Sequence, residues 1–436
     1  MRIHHFNTYP HGGAATAAKR IHRPLLDLGH RSRFFYSLSD QEVDESENPG
    51  LAKVTFGEKR SFPILKLLHS RQEKNRKRHI YRQYDRHLRD RNPDGENYAM
   101  AQLPEPSYLS KELTDVDIVH LHWISFLADY PSFFGSIPNH VPIVWTLHDM
   151  NPFTGGCHYN NGCQNFKAAC GNCPQIVNLG DDDVSYDSFR IKRKTLATKN
   201  LHVVAPSQWL LELARLSSVW PRQTTFHHIP YGLNLNTFQP TEKQEARKKL
   251  GLETDSVLLA FGADDLRNKR KGFQHLLEAL PKIQSESKFE CLVFGSGQLP
   301  ELENLPKFHS LGFIDSKAKQ ALAYSAADVV VLPSLEDNQP QVGLEALACG
   351  TPVVGFNAGG IPEYVRHGVT GYLAETGNSS ELARWIAKLV DDPQTRQQMS
   401  ARGVAMIQNE FESLRQGGKY VDLYQSILSV SSRRSA

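Results

Sequence analysis

Residues 328–363 place two acids, one helix N-terminus and two Gly-rich turns inside a single β-loop-α-β-loop unit. Few other segments of the chain constrain its fold as much. Val329 to Leu332 is an apolar run ended by Pro333, the pattern of a strand buried on both faces. Asn338 or Gln339 can cap the following helix, and Pro340 suits its first turn, where a missing N–H costs nothing. Gly350 supplies the stop, and Thr351 to Phe356 reads as the next buried strand. The amides of Gln341, Val342 and Gly343 are then expected to point into the crevice at the strand's carboxyl end. In open α/β sheets that crevice is where phosphorylated ligands sit.

A chain of 436 residues exceeds one ordinary core, so two domains are expected. With 22% charged residues, and no stretch near the roughly 18 apolar residues of a membrane span, it reads as soluble. Met1 to Asn7 reads as a short strand and lacks the apolar core of a secretory signal, so a cytoplasmic location is expected. In the first half, strand-like runs at 3–7, 33–36, 117–122, 143–148 and 202–205 alternate with helical patterns, which implies βαβ units and parallel pairing. Turn residues accumulate over 229–240, read as a linker. A second alternating series then follows, and a helical pattern at 420–430 is suited to bracing the first domain.

Three signals in the second series reinforce one another. Phe261-Gly262 ends a strand, Lys271-Gly272 precedes a helix, and Phe294-Gly295-Ser296-Gly297 is a glycine turn. A Lys beside a helix start can neutralise a diphosphate, helped by the helix end. Taken alone, the Lys run fits a solvated basic loop and the glycines fit an ordinary βα turn. In the first half, alternation puts His120 and His122 on one face at a strand end, next to Trp123. A lone His there would be a hydrogen-bonded core residue. An ion pair fixing a loop is the plain account of His148-Asp149.

Together with Leu311-Gly312-Phe313, Asp328 to Ser334, the acid-x7-Glu pattern ending at Glu345 and Gly359-Gly360-Ile361-Pro362-Glu363, these motifs resemble the retaining nucleotide-sugar glycosyltransferases of family 4. The resemblance is dense over 255–375 and thinner in the first half. It implies the GT-B fold: α/β, with two Rossmann-like doubly wound domains facing an interdomain cleft. It implies an acceptor-side domain at 1–235, a nucleotide-sugar-binding domain at 241–415, and a helix at 416–436 packing back on the first. Glu345 would bind the ribose hydroxyls, and Lys271 the diphosphate. Asp337 stands where the family has its first Glu, ahead of Glu336, which is one residue early. Ala263 replaces the family's Arg, so Arg267 or Arg270 would supply the second phosphate contact. The backbone at Ile314 would read the base edge. Asn338, Gln339, Gln341 and Val342 would hold sugar and distal phosphate. Gly12 and Gly13 would admit the donor diphosphate, His122 would lie near the reacting sugar, and His148 and Asp149 on the acceptor side.

The implied reaction moves a sugar from a UDP- or GDP-type donor to a hydroxyl of a saccharide or lipid-linked acceptor, with retention and no catalytic metal. Cell-surface polysaccharide or glycolipid assembly is its expected setting. A catalytically silent nucleotide-sugar or polyanion binder is the alternative, kept open by Asp337 and Ala263. A glycoside hydrolase would need two carboxyls flanking the bond and no phosphate site.

Four of six cysteines, Cys157, Cys163, Cys170 and Cys173, fall in a Gly- and Asn-rich loop at 151–177 with spacing C-x5-C-x6-C-x2-C. In a reducing compartment four clustered thiols favour a structural Zn²⁺ site; free thiols or two disulfides are the other readings. The segment 66–91, within an insertion at 60–95, carries ten Lys/Arg against Glu73, Asp85 and Asp90, a net +7 in a chain of formal charge +3. It fits a solvated helix face, or peripheral contact with anionic lipid at about 1 kcal/mol per basic residue. Nucleic acid is not expected, because no stacking platform accompanies the charge.

Overall fold

The computed structural model describes residues 1–38, 49–54, 56, 66–87, 97–176, 180–181, 183–299 and 305–435. They form two compact units, Met1–Ile229 with Gly417–Ala436, and Pro230–Gln416.

The first unit contains β1 (Arg2–Asn7), α1 (Gly13–Asp27), β2 (Arg31–Tyr36), β3 (Leu51–Lys53), α2 (Lys66–His87), β4 (Ile118–Leu121), α3 (Tyr130–Ser136), β5 (Ile143–Thr146), α4 (Val184–Leu196), β6 (Leu201–Ala205), α5 (Gln208–Leu216) and β7 (Thr225–His228). Its seven strands are all parallel, in the order β3-β2-β1-β4-β5-β6-β7. The strand order reverses between β1 and β4, which makes that carboxyl edge the topological switch point. Every residue of β4 and β5 is buried, His120 and Thr146 included, because both sheet faces are covered.

The second unit contains α6 (Lys243–Lys249), β8 (Val257–Asp265), α7 (Phe273–Ala279), β9 (Phe289–Ser296), β10 (Phe308–Ser310), α8 (Lys317–Ala326), β11 (Val329–Leu332), α9 (Gln341–Ala348), β12 (Val353–Phe356), β13 (Gly371–Ala374), α10 (Ser379–Asp391) and α11 (Pro393–Glu410). Its six parallel strands run β10-β9-β8-β11-β12-β13, with the switch point between β8 and β11. Both units are thus Rossmann-like parallel-sheet domains.

The last helix, α12 (Ser413–Ser435), is longer than its periodicity suggests. Tyr420, Leu423, Tyr424 and Ile427 pack against Ile3, Ile21, Leu25, Ile118 and Val144. The two phenols find partners in this apolar setting, as buried hydroxyls must. Tyr420 meets the Thr146 hydroxyl at 2.7 Å, and Tyr424 the His120 Nδ1 at 2.7 Å.

The basic segment is helical over α2, while 60–65 and 88–95 lie outside the described residues. Two of its cations are paired: Arg76 with buried Asp129, and Lys77 with exposed Glu105 at 2.6 Å. Lys74, Arg78 and Arg82 are exposed. Asp181 to Asp183 is expected from sequence to be a solvated loop. Instead Asp183 is buried and caps α4, its carboxylate accepting the Ser185 and Tyr186 amides and, at 2.7 Å, that of Cys173. Asp182 lies outside the described residues. No described helix is long and apolar enough to cross a membrane.

Candidate active site

In the second unit, β8 delivers the chain to a 3-10 turn at Lys269–Lys271, and β11 ends at Pro333. Gly272 lets the two segments touch. Its φ is +76°, and a Cβ there would stand 1.8 Å from the Pro333 carbonyl oxygen. The Leu335 amide then donates to the Arg270 carbonyl at 2.8 Å, tying the loops together. Gly272→Ala is expected to destabilise the protein by about 2 kcal/mol, from left-handed strain plus the collision. An unchanged urea midpoint would show that the turn relaxes freely.

This loop pair assembles a charged triad. Lys271 Nζ donates to Asp337 Oδ2 at 2.7 Å, and Arg270 lies 3.2 Å from the same oxygen while donating to the Glu336 carbonyl at 2.8 Å. The carboxylate that meets the cations is that of Asp337, not Glu336. Burial by itself would raise the Asp337 pKa, but Lys271 and Arg270 outweigh it and hold the carboxyl below its ordinary value. Gly359 and Gly360 wrap the Asp337 backbone, the Gly360 amide bonding its carbonyl at 3.0 Å. Arg267 is elsewhere: it is exposed and pairs with Asp265 at 2.8 Å.

Helix α9 starts differently from the sequence expectation. Pro340, rather than Asn338 or Gln339, is its N-cap, and no side chain caps it. The Gln339 Oε1 accepts the Tyr231 amide at 2.7 Å, and its buried Nε2 has no partner among the described residues. Asn338 donates its amide to Asp337 Oδ1 at 3.0 Å. The Gly343 amide, expected to face the crevice, bonds the Pro340 carbonyl at 3.3 Å, because the first turn closes tightly after proline. Gln341 and Val342 open the helix. Glu345, one turn on, is buried and accepts the Tyr324 hydroxyl at 3.1 Å. Sequence reasoning missed Tyr324, which lies on α8 with no motif to flag it. Ile314 is buried, and its carbonyl accepts Gln320 Nε2 at 2.7 Å.

In the first unit, Gly12 has φ +88° at the N-terminus of α1, beside Gly13, and a Cβ there would meet nothing within 4 Å. At the carboxyl ends of β4 and β5 the histidines form a ladder. His5 Nδ1 lies 3.0 Å from His122 Nε2, and His122 Nδ1 lies 3.2 Å from His148 Nε2. Burial, reinforced by the neighbouring histidines, holds His122 well below its ordinary pKa, and burial brings His148 to about 4. His122 is therefore a neutral imidazole near pH 7. His5 was missed because only the parallel register of β1 on β4, His5 opposite His120, brings it there. Asp149 is buried and occupied: it accepts Trp123 Nε1 at 2.7 Å, contacts His158 Nδ1 at 2.6 Å and accepts the Asn151 amide at 2.9 Å. His158 was likewise missed, hidden in the Cys-rich loop.

Residues 255–392 match the family model described as "Glycosyl transferases group 1". A D-inositol 3-phosphate glycosyltransferase of Thermobispora bispora is 28% identical over 307 residues, covering 66% of this chain and 65% of that protein. A GDP-mannose-dependent monoacylated alpha-(1-6)-phosphatidylinositol monomannoside mannosyltransferase of Corynebacterium glutamicum is 29% identical over 230 residues, covering 49% of this chain and 60% of that protein. The chain thus spans under two thirds of the length of these curated relatives. Among solved structures, a sucrose-phosphate synthase from Thermosynechococcus elongatus superposes with TM-score 0.66 at 18% identity, covering 98% of this chain and 99% of that one. Anabaena HepE, in complex with UDP and glucose, superposes with TM-score 0.63 at 18% identity, covering 98% of this chain and 100% of that one. These neighbours share the fold of two Rossmann-like domains. The segment that carries the charged triad and Glu345 is thus the part of the chain that is similar to the group 1 glycosyl transferases.

Proposed function

We propose that this protein is a retaining, metal-independent glycosyltransferase that moves a sugar from a UDP- or GDP-type nucleotide sugar to a hydroxyl of a saccharide or lipid-linked acceptor. Cell-surface polysaccharide or glycolipid assembly is the setting this reading favours. The observation that carries it is the convergence of Lys271 and Arg270 on one anionic oxygen at the switch point of the second sheet. Two cations already aimed at one oxygen suit a diphosphate leaving group. The mannosyltransferase relative, GDP-mannose-dependent by name, and HepE with bound UDP support the donor class.

Breaking the anomeric bond places negative charge on the leaving diphosphate. Lys271 and Arg270 stabilise that charge, with the start of α9 adding its partial positive end. Asp337 keeps both cations in place, and its sugar contact is carried by the family motif. The leaving phosphate oxygen takes the acceptor proton in a front-face attack. Glu345, oriented by Tyr324, accepts the ribose hydroxyls. Asn338, Gln339, Gln341 and Val342 line the sugar and distal phosphate, and Ile314 the base. In the first unit, Gly12 and Gly13 admit the diphosphate backbone, and neutral His122 hydrogen-bonds the sugar. His148 with the Asp149 network shapes the acceptor side. The exposed cations of α2 offer peripheral membrane contact on the cytoplasmic face. The transfer needs no catalytic cofactor in this reading, and zinc held by the loop cysteines would be structural.

A panel of UDP-, GDP- and ADP-sugars tests the reading by thermal shift and by nucleotide release with candidate acceptors. A true donor at about 100 times its Kd should add about 2.7 kcal/mol of stability. Glu345→Ala should cut that donor's affinity by about 10–100-fold, the loss of one or two hydrogen bonds to a charged group. Absence of both stabilisation and nucleotide release across the panel would reject the transferase reading.

A further inference from the structure

The cysteine loop is not used by the transfer chemistry, yet its four thiols converge. Cys157, Cys163, Cys170 and Cys173 line one cavity of about 20 Å³, walled also by Tyr98 and Phe166. That is room for one water-sized body. All six cysteines of the chain are free thiols.

Three further observations point to a bound cation. Backbone amides are aimed at sulfur: the Gly155 N–H donates to Cys170 Sγ at 3.1 Å, and the Gln175 amide to the Cys173 sulfur. Such N–H···S bonds stabilise thiolate ligands. The chain also turns through consecutive left-handed residues beside the ligands, Asn161 and Gly162, then Cys170 at φ 54°, Gly171 and Asn172. Left-handed Cys170 is unfavourable on its own and persists only where its surroundings hold it. Finally, Lys192 is fully buried next to the loop. Its ammonium donates to the Asn151 and Thr154 carbonyls at 2.5 and 3.0 Å, and among the described residues no carboxylate pairs with it. A buried cation wants a compensating anion, and Cys170, Cys157 and Asp149 are the ionisable groups whose negative charge favours its ammonium.

We propose that Cys157, Cys163, Cys170 and Cys173 bind one Zn²⁺ as a tetrahedral tetrathiolate site that locks the loop onto α4. Four S–H bonds break, four protons leave to solvent and four Zn–S bonds form at about 2.3 Å, with no change of redox state. The site carries a net charge of −2, of which Lys192 offsets one unit. The sulfurs now stand farther apart than ligand distance, since among the described residues only His5, His120 and His122 bring three ligand atoms within 4.8 Å of one another. Loading therefore draws the loop inward. In the histidine trio, His120 is engaged by Thr146 and Tyr424, and His122 by His5 and His148, while His5 Nε2 has no partner among the described residues.

The test uses the full chain expressed with added zinc and purified reduced. Elemental analysis should give one zinc per chain. A thiol reagent should find four cysteines protected until a strong chelator is added. Cobalt exchange should produce the intense visible bands of a tetrahedral thiolate site. Cys163→Ser and Cys173→Ser should each lose stoichiometric zinc, and Lys192→Met should weaken it about 10-fold in chelator competition. If the serine variants do not fold, thiol protection and the cobalt spectrum of the wild-type chain decide. Folded wild-type protein without zinc, its loop thiols reactive or paired in disulfides, would overturn the proposal. So would zinc retained in full by both serine variants.

Discussion

Lys271→Ala is expected to slow sugar transfer by about 10²–10³-fold, an effect of about 3–4 kcal/mol on the barrier. The side chain supplies one of two cations that meet Asp337 Oδ2, and the proposed leaving group gathers charge beside it. The substitution also strips a buried carboxylate of its nearer partner. Removing one member of a fully buried pair costs about 3–5 kcal/mol. Here the loss should be smaller, because Arg270 remains at 3.2 Å and the Lys271 side chain is 27% exposed. Turnover and unfolding must therefore be measured on the same variants. Lys271→Arg should recover most of the stability but little of the turnover, since a planar guanidinium cannot occupy the ammonium's point position. Lys271→Ala combined with Asp337→Asn should regain stability without regaining rate. Unchanged turnover in a folded Lys271→Ala protein would remove Lys271 from the reaction.

Stability should fall steeply below about pH 6.5 and reach a loss of about 4 kcal/mol near pH 5.5. His5, His120 and His122 are buried, and burial, the largest influence on each, holds them well below the ordinary histidine pKa. Between that ordinary value and their native values, the unfolded chain binds protons that the native protein refuses. Stability therefore rises with pH through this window and is fully present above about 6.5. Each such histidine contributes about 1.4 kcal/mol per pH unit. His148, brought to about 4, steepens the same limb. Urea titrations from about pH 8 to about pH 5.5 should show the fall, with a shallower slope in His5→Gln, where one titrating group is gone. A flat profile, or imidazole resonances titrating near their ordinary value, would mean that the ladder is open to water.

How much of this was legible in the residues depended on the kind of signal. Continuous runs such as Val329–Leu332 and Ile143 to Trp145 announced themselves, because a strand buried on both faces leaves few polar positions. Strands β3 and β7 did not: they lie at the edges of their sheet, and their mixed burial leaves no apolar run to read. The glycines flanking the charged triad were visible as turns, but not the reason for them. Gly272 is required by a carbonyl contributed from sixty residues away, and no local pattern carries that. The helix cap was misread for a similar reason. Gln339 has the chemistry of a cap, yet the Tyr231 amide takes its oxygen first.

Local order was enough to determine two parallel α/β sheets, and the resemblance of the second to the group 1 glycosyl transferases singled out Lys271, Asp337, Glu345 and His122 as candidates. The sheets follow from periodicity and turn chemistry, which act over a few residues. Tertiary structure alone decided which cation reaches which acid, placing Arg270 rather than Arg267 on Asp337. It also joined His5 to His122 across β1 and β4, and gathered four spaced cysteines around one cavity. Each of these depends on strand register and loop crossing. Such contacts join residues far apart in the chain, and their energies are settled only when the whole sheet has formed.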